Sequence, residues 1–498
     1  MKNLRIYLFA ITGLLFASCD DAIDIIQPGE LAPEDTFETV VDMQLGLNAI
    51  YSSVPYENGI YFTSIFTDEV AIGRSNGGQG LGGELAFNLT PLSGDAAGIW
   101  SSNYYAINLA TRLIEASEFV VVEPGTEDEA AKKSVLAQAY ALRAFCHFQL
   151  LTYFSPDLTD DSALGVVAIA STPNITDKLP RNTNGEVFAL IDSDLAFSVG
   201  NLASNLQTVS NPNRFYVTQD FIKALKARMA LYRGNYDLAN QMVTELDATL
   251  NLSNAASYRG IWVSDTYAAN SEVIFYLDKV ADPDGGNGNF YQLWSSVNST
   301  VSGSPFFEVN RALFNLVNTS GDIRKTIVAD ATQLVLENYD APSVTAADYK
   351  QNDVLPVGKY PGNGTQNLLN DVKVFRLSEM YLIKAECFAN ANDWVNAIGW
   401  VNQVRAARGA TALNTNLTGQ AGWLAIMNER RAELAFEGHR YIDIKRLGVK
   451  AGQGVFRDPR DCAFNGFCTL PGSDYRFTLP IPQPELAANP SIQQNPNY

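Results

Sequence analysis

The densest chemistry in the sequence lies between residues 429 and 446. Glu429-Arg430-Arg431-Ala432-Glu433-Leu434-Ala435-Phe436-Glu437-Gly438-His439-Arg440 is followed by Asp443 and Arg446. Paired carboxylates such as Glu433 and Glu437 suggest the proton donor and acceptor of glycoside hydrolysis, but that chemistry depends on a spatial separation that spacing along a helix does not encode. The same groups read more simply as mutual partners. Glu433 and Glu437 are four apart on one helical face, with Arg430, Arg440 and Arg446 nearby, so they satisfy one another and tie a helix to its neighbours. Only two histidines occur, His147 and His439, both within amphipathic helical patterns. A His-based metal site or a Ser–His–Asp triad is therefore not expected, and neither is any cofactor. Asp282, Asp284, Asn287 and Asn289 form an oxygen-rich loop that could hold Ca²⁺, but their spacing misses the EF-hand pattern and reads as a solvated turn. Gly78, Gly80 and Gly83 satisfy G-x-G-x-x-G only formally, without the strand–turn–helix context that phosphate binding needs.

The aromatic residues point to a different chemistry, that of binding. A neutral sugar offers apolar ring faces and hydroxyl edges, so its site needs flat aromatic surfaces beside amides, carboxylates or guanidiniums. Trp394, Trp400 and Trp423 fall in helical patterns and read as core. Trp100, Trp262 and Trp294 lie in or beside irregular segments and are the better platforms. Asp68 and Arg74, in the loop before Trp100, suit hydroxyl recognition. Tyr291 and Trp294 come from an irregular insertion. Trp100 also reads as packing at the start of a helix over 100–119, and both readings stay open.

These residues must be positioned by a largely helical chain. Val135, Ala139, Leu142, Cys146, Leu150 and Tyr153 step by three and four, as do Val374, Leu377, Tyr381, Ala385 and Phe388. Ala227, Gly234, Tyr236 and Ala239 share their spacing with Ala385, Asn392, Trp394 and Ala397, which resembles two tetratricopeptide helix–turn–helix units. Degenerate copies are expected around 131–200. Ser271–Val280 reads as a strand buried on both sides. Residues 58–98 and 282–370 show little periodicity. The expected fold is mostly α: a tetratricopeptide-like helical scaffold with a long irregular insertion containing short strands and loops.

The N-terminus reads as a targeting segment. Lys2 and Arg5 precede an apolar run from Ile6 to Phe16, too short to span a bilayer. Phe16-Ala17-Ser18-Cys19 resembles a bacterial lipobox, with Phe16 where Leu is usual. Cleavage would leave Cys19 as a lipidated N-terminus on a 480-residue chain carrying 33 Lys and Arg against 54 Asp and Glu. Such a charge argues against nucleic acid and polyanions as partners. The expected organisation is a signal peptide over 1–18, a tether over 19–34 and one domain over 35–498, with ligand-facing segments near 58–100 and 255–370. Cys146 and Cys387 read as buried hydrophobes. Cys462 and Cys468 flank five residues and outside the cytoplasm could close a small loop.

The motif at 429–446 resembles the signature helix of the SusD/RagB family of Bacteroidetes. So does the C-terminal run Leu479-Pro480-Ile481-Pro482, Glu485, Asn489-Pro490, Gln494-Asn495-Pro496 and Tyr498. Leu142-Arg143-Ala144, Glu272-Val273-Ile274-Phe275, Arg376, Glu379, Tyr381-Leu382 and Ala385-Glu386 extend the likeness over nearly all of 19–498. Ser155 departs from it, where many members have Gly. The resemblance implies a nutrient-binding outer-membrane lipoprotein that catalyses nothing and works with a TonB-dependent SusC-like transporter. It also implies that Trp100 and Asn103 are spaced like a W-x-x-N pair that contacts glycan. A peptide-binding member of the family, or a tetratricopeptide module without its own ligand, are the alternatives.

Overall fold

The computed structural model describes residues 36–73, 82–208, 213–268, 270–281, 307–330, 334, 336, 355–362, 369–463 and 465–498. Cys19, Arg74, Gly78, Gly80, Asp282, Asp284, Asn287, Asn289, Tyr291 and Trp294 lie outside these residues. Helix α1 (Val40–Ser53) starts after Thr39, because Thr39 and Asp42 cap each other reciprocally. Helix α2 (Tyr56–Phe66) replaces the irregular stretch expected there. Ile60, Phe62, Ile65 and Phe66 are all buried. A helix covered on nearly every side has no polar stripe, which is why periodicity did not reveal it.

Strand β1 (Val70–Ile72) follows, then helices α3 (Gly94–Ala116), α4 (Glu127–Phe154) and α5 (Asn184–Asn201). α4 packs against α1, α3 and α5. It is tied to α5 by Arg143, whose guanidinium meets the Asp194 carboxylate at 2.7 and 2.9 Å with both groups buried. Such a bidentate pair fixes the orientation of the two helices.

The two tetratricopeptide-like units are present. The first is α6 (Gln219–Tyr232) with α7 (Tyr236–Asp247). After helix α8 (Ala255–Val263), strands β2 (Val273–Leu277), β3 (Phe307–Val309) and β4 (Val372–Arg376), the second is α9 (Leu377–Asn390) with α10 (Trp394–Ala407). Gly234 and Asn392, equivalent in the repeat, both turn through positive φ, +77° and +60°. Gly and Asn tolerate that region best. Asn235 and Asp393 then cap α7 and α10. α9 packs on both α6 and α7, so the units stack into one body. Helices α11 (Gly419–Glu433) and α12 (Arg440–Ala451) close the scaffold. Gly422 is required there, because a Cβ would meet the Trp394 ring at 2.4 Å. That ring stands edge-on to Trp423.

β2 is buried along its whole length and pairs antiparallel with β4, as the run of β-branched and aromatic residues leads one to expect. β1 pairs antiparallel with β3 in the register Val70↔Val309, Ala71↔Glu308 and Ile72↔Phe307. Near the C-terminus β5 (Val455–Phe456) pairs with β6 (Thr469–Leu470), and a Cys462–Cys468 disulfide closes the loop between them.

Candidate functional site

The charged motif folds inward. Glu433, at the end of α11, receives Arg408 at 2.8 Å and Arg376 at 2.9 Å, with Arg324 at 3.6 Å. Arg376 and Arg408 also hold Glu272 of the segment leading into β2, at 2.6 and 2.8 Å. Arg376 and Lys359 meet Glu437, each at 2.7 Å. All of these side chains are buried. Burial alone would raise the Glu433 pKa, but Arg408 and Arg376 hold it well below the usual carboxylate range. A carboxylate locked by guanidiniums in the interior neither reaches a substrate nor exchanges protons with one. Burial, with several arginines around it, likewise keeps His439 neutral. His147 is buried and depressed to about 3. Its Nε2 accepts the Ile169 N–H, which assigns the ring proton to Nδ1, facing the Arg143 carbonyl. Among the described residues no group of three or more His, Cys, Asp or Glu could hold a metal ion.

Four residues expected to face a ligand are placed inside instead. Asp68 is fully buried and takes a bidentate pair from Arg440 at 2.8 and 2.9 Å, plus the Phe456 N–H. Burial opposes its ionisation, yet Arg431 and Arg440 bring its pKa to about 2. Its role is to tie the base of β1 to α12 and β5. Trp262 is fully buried, and Lys359 lies over its ring, 4.1 Å from the centroid. Its platform holds a cation of the protein's own interior. Trp100 is 3% exposed, packs on Tyr104 and Phe154, and donates its indole N–H to Glu485 at 3.2 Å. Asn103 donates to the Ile99 carbonyl one turn back, while its Oδ1 has no hydrogen-bond partner. The packing reading of Trp100 is the one the fold supports. An indole enclosed on both faces has none left for a sugar.

What the fold does bring together is one stem of each irregular segment. Ile72 and Phe307 are register partners, so the chain leaves β1 toward 74–81 from the same end at which it enters β3 from 282–306. Ahead of residue 282, Lys279 forms an ion pair with Glu57 at the start of α2. Two exposed rings missed by the sequence reading belong to the adjoining C-terminal hairpin. Phe456 (44% exposed) has its backbone N–H on Asp68, and Phe467 (40% exposed) stands edge-on to Phe87. The cysteine pair bracketing Phe467 was the available signal, since a closed loop holds an aromatic ring out in solvent.

The β1–β3 edge carries its own pH dependence. Burial, with Asp461 adding to it, pushes the Glu308 carboxyl on β3 up to about 8. The folded chain thus keeps a proton that the unfolded chain releases near 4.5. This contribution to stability is full below that value and is lost as pH rises through about 8. In urea unfolding at pH 5 and pH 8, Glu308→Gln should lose less stability across the interval than the wild type. An equal loss in both proteins would contradict the assignment.

Comparison with known proteins follows the same lines. Residues 349–498 match the SusD family, and residues 24–231 match a family described as starch-binding associating with outer membrane. SusD-like protein P2 of Formosa agariphila is 26% identical, the alignment covering 100% of both chains. The starch-binding protein SusD of Bacteroides thetaiotaomicron is 30% identical over 129 residues, 26% of this chain and 22% of the other. Among solved structures, a SusD superfamily protein from Bacteroides thetaiotaomicron superposes with a TM-score of 0.73 at 24% identity, over 92% of this chain and 100% of that one. A laminarin-binding SusD-like protein gives 0.69 at 23% identity, over 93% and 100%. These structural likenesses speak to the fold.

Proposed function

Since the chain belongs to the SusD/RagB family, we propose that it is a surface glycan-binding lipoprotein that captures oligo- or polysaccharide and delivers it, chemically unchanged, to a TonB-dependent SusC-like transporter. Cys19 is the lipid anchor, at the cell outer membrane and facing the exterior. No helix of the described residues is long and apolar enough to cross a membrane. The ligand is a neutral glycan. Support for that comes from relatives named for binding starch and laminarin, both neutral glucans, and from the net charge of −19, which disfavours polyanions.

The observation that carries this reading is the β1–β3 register, which sets one stem of each irregular segment at the same end of a two-stranded sheet. Binding residues sit best on loops held by such a scaffold. Arg74, Tyr291 and Trp294 are the proposed ligand contacts on those segments. The carboxylates of the charged motif are excluded from this role by their burial in ion pairs. The cellular part is tested by protease shaving of intact cells and affinity isolation from solubilised outer membranes. Wild-type protein should be shaved from the surface and should retain a TonB-dependent transporter, whereas Cys19→Ala should do neither. Wild-type protein that survives shaving and comes away alone would overturn delivery at the surface.

A further inference from the structure

A groove at the tetratricopeptide turns is built from residues that none of the binding argument has used. It runs between the turn into α7, the C-terminal end of α9, the second half of α12 and the loop that follows α4. One hollow, of about 370 Å³, has Asp157, Tyr232, Glu386, Lys445, Arg446 and Lys450 among its walls. A second, of about 360 Å³, adds Asp237, Asn240 and Phe388. Tyr236 and Asn390 line both, so the two hollows meet at a half-buried tyrosine and an amide. Each volume falls in the range of small-ligand sites, about 300–1,000 Å³. No residue of β1 or β3 lines either hollow.

The cations of this groove are engaged within the protein. Arg446 meets Glu386 at 2.9 Å and Asp443 at 3.0 Å, with its guanidinium 4.3 Å from the centre of the Tyr232 ring. The Lys445 ammonium donates to the Thr152 and Ser155 carbonyls at the end of α4, where the helix terminus favours a cation. Lys450 reaches the Asn390 side-chain oxygen at 3.3 Å. Asp157 and Asp237 add exposed carboxylates to the walls. Hydrogen-bonding capacity does remain. Arg446 Nε and Asn240 Oδ1, one on each hollow, are buried polar atoms without a hydrogen-bond partner, and such atoms call for an explanation in a native fold. The combination is an aromatic side chain between two polar hollows, with amides and carboxylates beside it. That suits the apolar faces and hydroxyl edges of a neutral sugar.

We infer that this groove is a second carbohydrate subsite, holding one or two neutral pyranose rings against Tyr236, with Asn390 and Asn240 as hydroxyl partners. The inference rests on the reading of the protein as a glycan binder, and adds a contact remote in sequence from the segments proposed for capture. An extended glycan held at two places gains from effective concentration, so a weak subsite raises the affinity of long chains more than of short ones.

Hydroxyl-radical footprinting of the full mature chain, with maltose and laminaribiose as probes, tests it. Sugar should protect Tyr236 from oxidation in the wild type and equally in Trp294→Ala. Asn390→Ala should lose that protection, and Tyr236→Ala should weaken disaccharide binding in the groove about tenfold. Tyr236→Phe, which keeps the ring, should retain binding and shows that a loss in Tyr236→Ala is not misfolding. Protection at Trp294 with Tyr236 unchanged would overturn the subsite and leave glycan capture standing. Protection at neither would remove both. Protection of Tyr236 by peptides but not by sugars would overturn the carbohydrate assignment of the groove.

Discussion

Glu433→Gln should lower the unfolding free energy of the mature chain by about 3–5 kcal/mol, the range for breaking a buried ion pair by removing one partner. Glutamine keeps the shape of the side chain but not its charge. Arg376 and Arg408 would then share only Glu272 and Glu437, and Arg324 would keep Glu429 and Asp322. The penalty is that of buried guanidiniums left short of counter-charge, not the worth of one hydrogen bond. The sign with pH follows from the depressed Glu433 pKa. The wild-type advantage is full above the ordinary value of 4.5 and is lost as pH falls through the lower folded value. Urea unfolding followed by circular dichroism at pH 7 and below pH 4 should therefore show a gap that narrows in acid. Glycan affinity of the folded variant should stay at the wild-type level. A variant of unchanged stability that lost a ligand-related activity would instead mean that the motif serves a site.

The second large effect separates two tryptophans that look alike in sequence. Trp100→Ala should cost about 3–5 kcal/mol of stability, as expected when a large buried aromatic is truncated and leaves a cavity. It removes the contacts with Tyr104 and Phe154 and strands the Glu485 carboxylate that accepts the indole N–H. The folded fraction should bind glycan as the wild type does. Trp294→Ala should do the reverse, leaving the unfolding midpoint in place and weakening glycan binding about tenfold or more, as loss of an aromatic anchor does. Thermal melting and titration of the two variants side by side decide the matter. Loss of affinity in Trp100→Ala at unchanged stability would return Trp100 to the binding surface.

Much of the scaffold was legible because repeats and charge patterns are local in sequence. Gly234 and Asn392 mark the turns of two like units, and in the structure both turn through positive φ. The residues that carried the family resemblance turn out to be largely the buried ion pairs. Arg143 meets Asp194, Glu379 meets Arg228, Glu272 and Glu433 share Arg376 and Arg408, and Glu386 takes Arg430 and Arg446. Buried charges tolerate few replacements because each needs a partner at a set distance, so a motif built of them reports architecture. It says little about the ligand.

The ligand site was less legible for the same physical reason. Trp100, Asn103, Asp68 and Trp262 are of types that suit sugar binding, but type does not distinguish an open face from a packed one. Asp68 is claimed by Arg440 from 372 residues further along the chain. Trp262 is claimed by Lys359 from a separate segment. No window of sequence contains both members of such a pair. Helix α2 was missed because a helix buried all round lacks the stripe that periodicity detects. The pairing of β1 with β3 joins segments more than two hundred residues apart, and only the fold shows that their flanking loops leave from one edge.

Glycan capture itself is tested most directly by isothermal titration of the mature chain against neutral oligosaccharides of increasing length, with peptides of similar size alongside. The account predicts saturable binding to at least one neutral glycan, tightening with chain length and weakened by Trp294→Ala, with no heat from the peptides. Saturable binding to peptides alone, with every glycan silent, would contradict it.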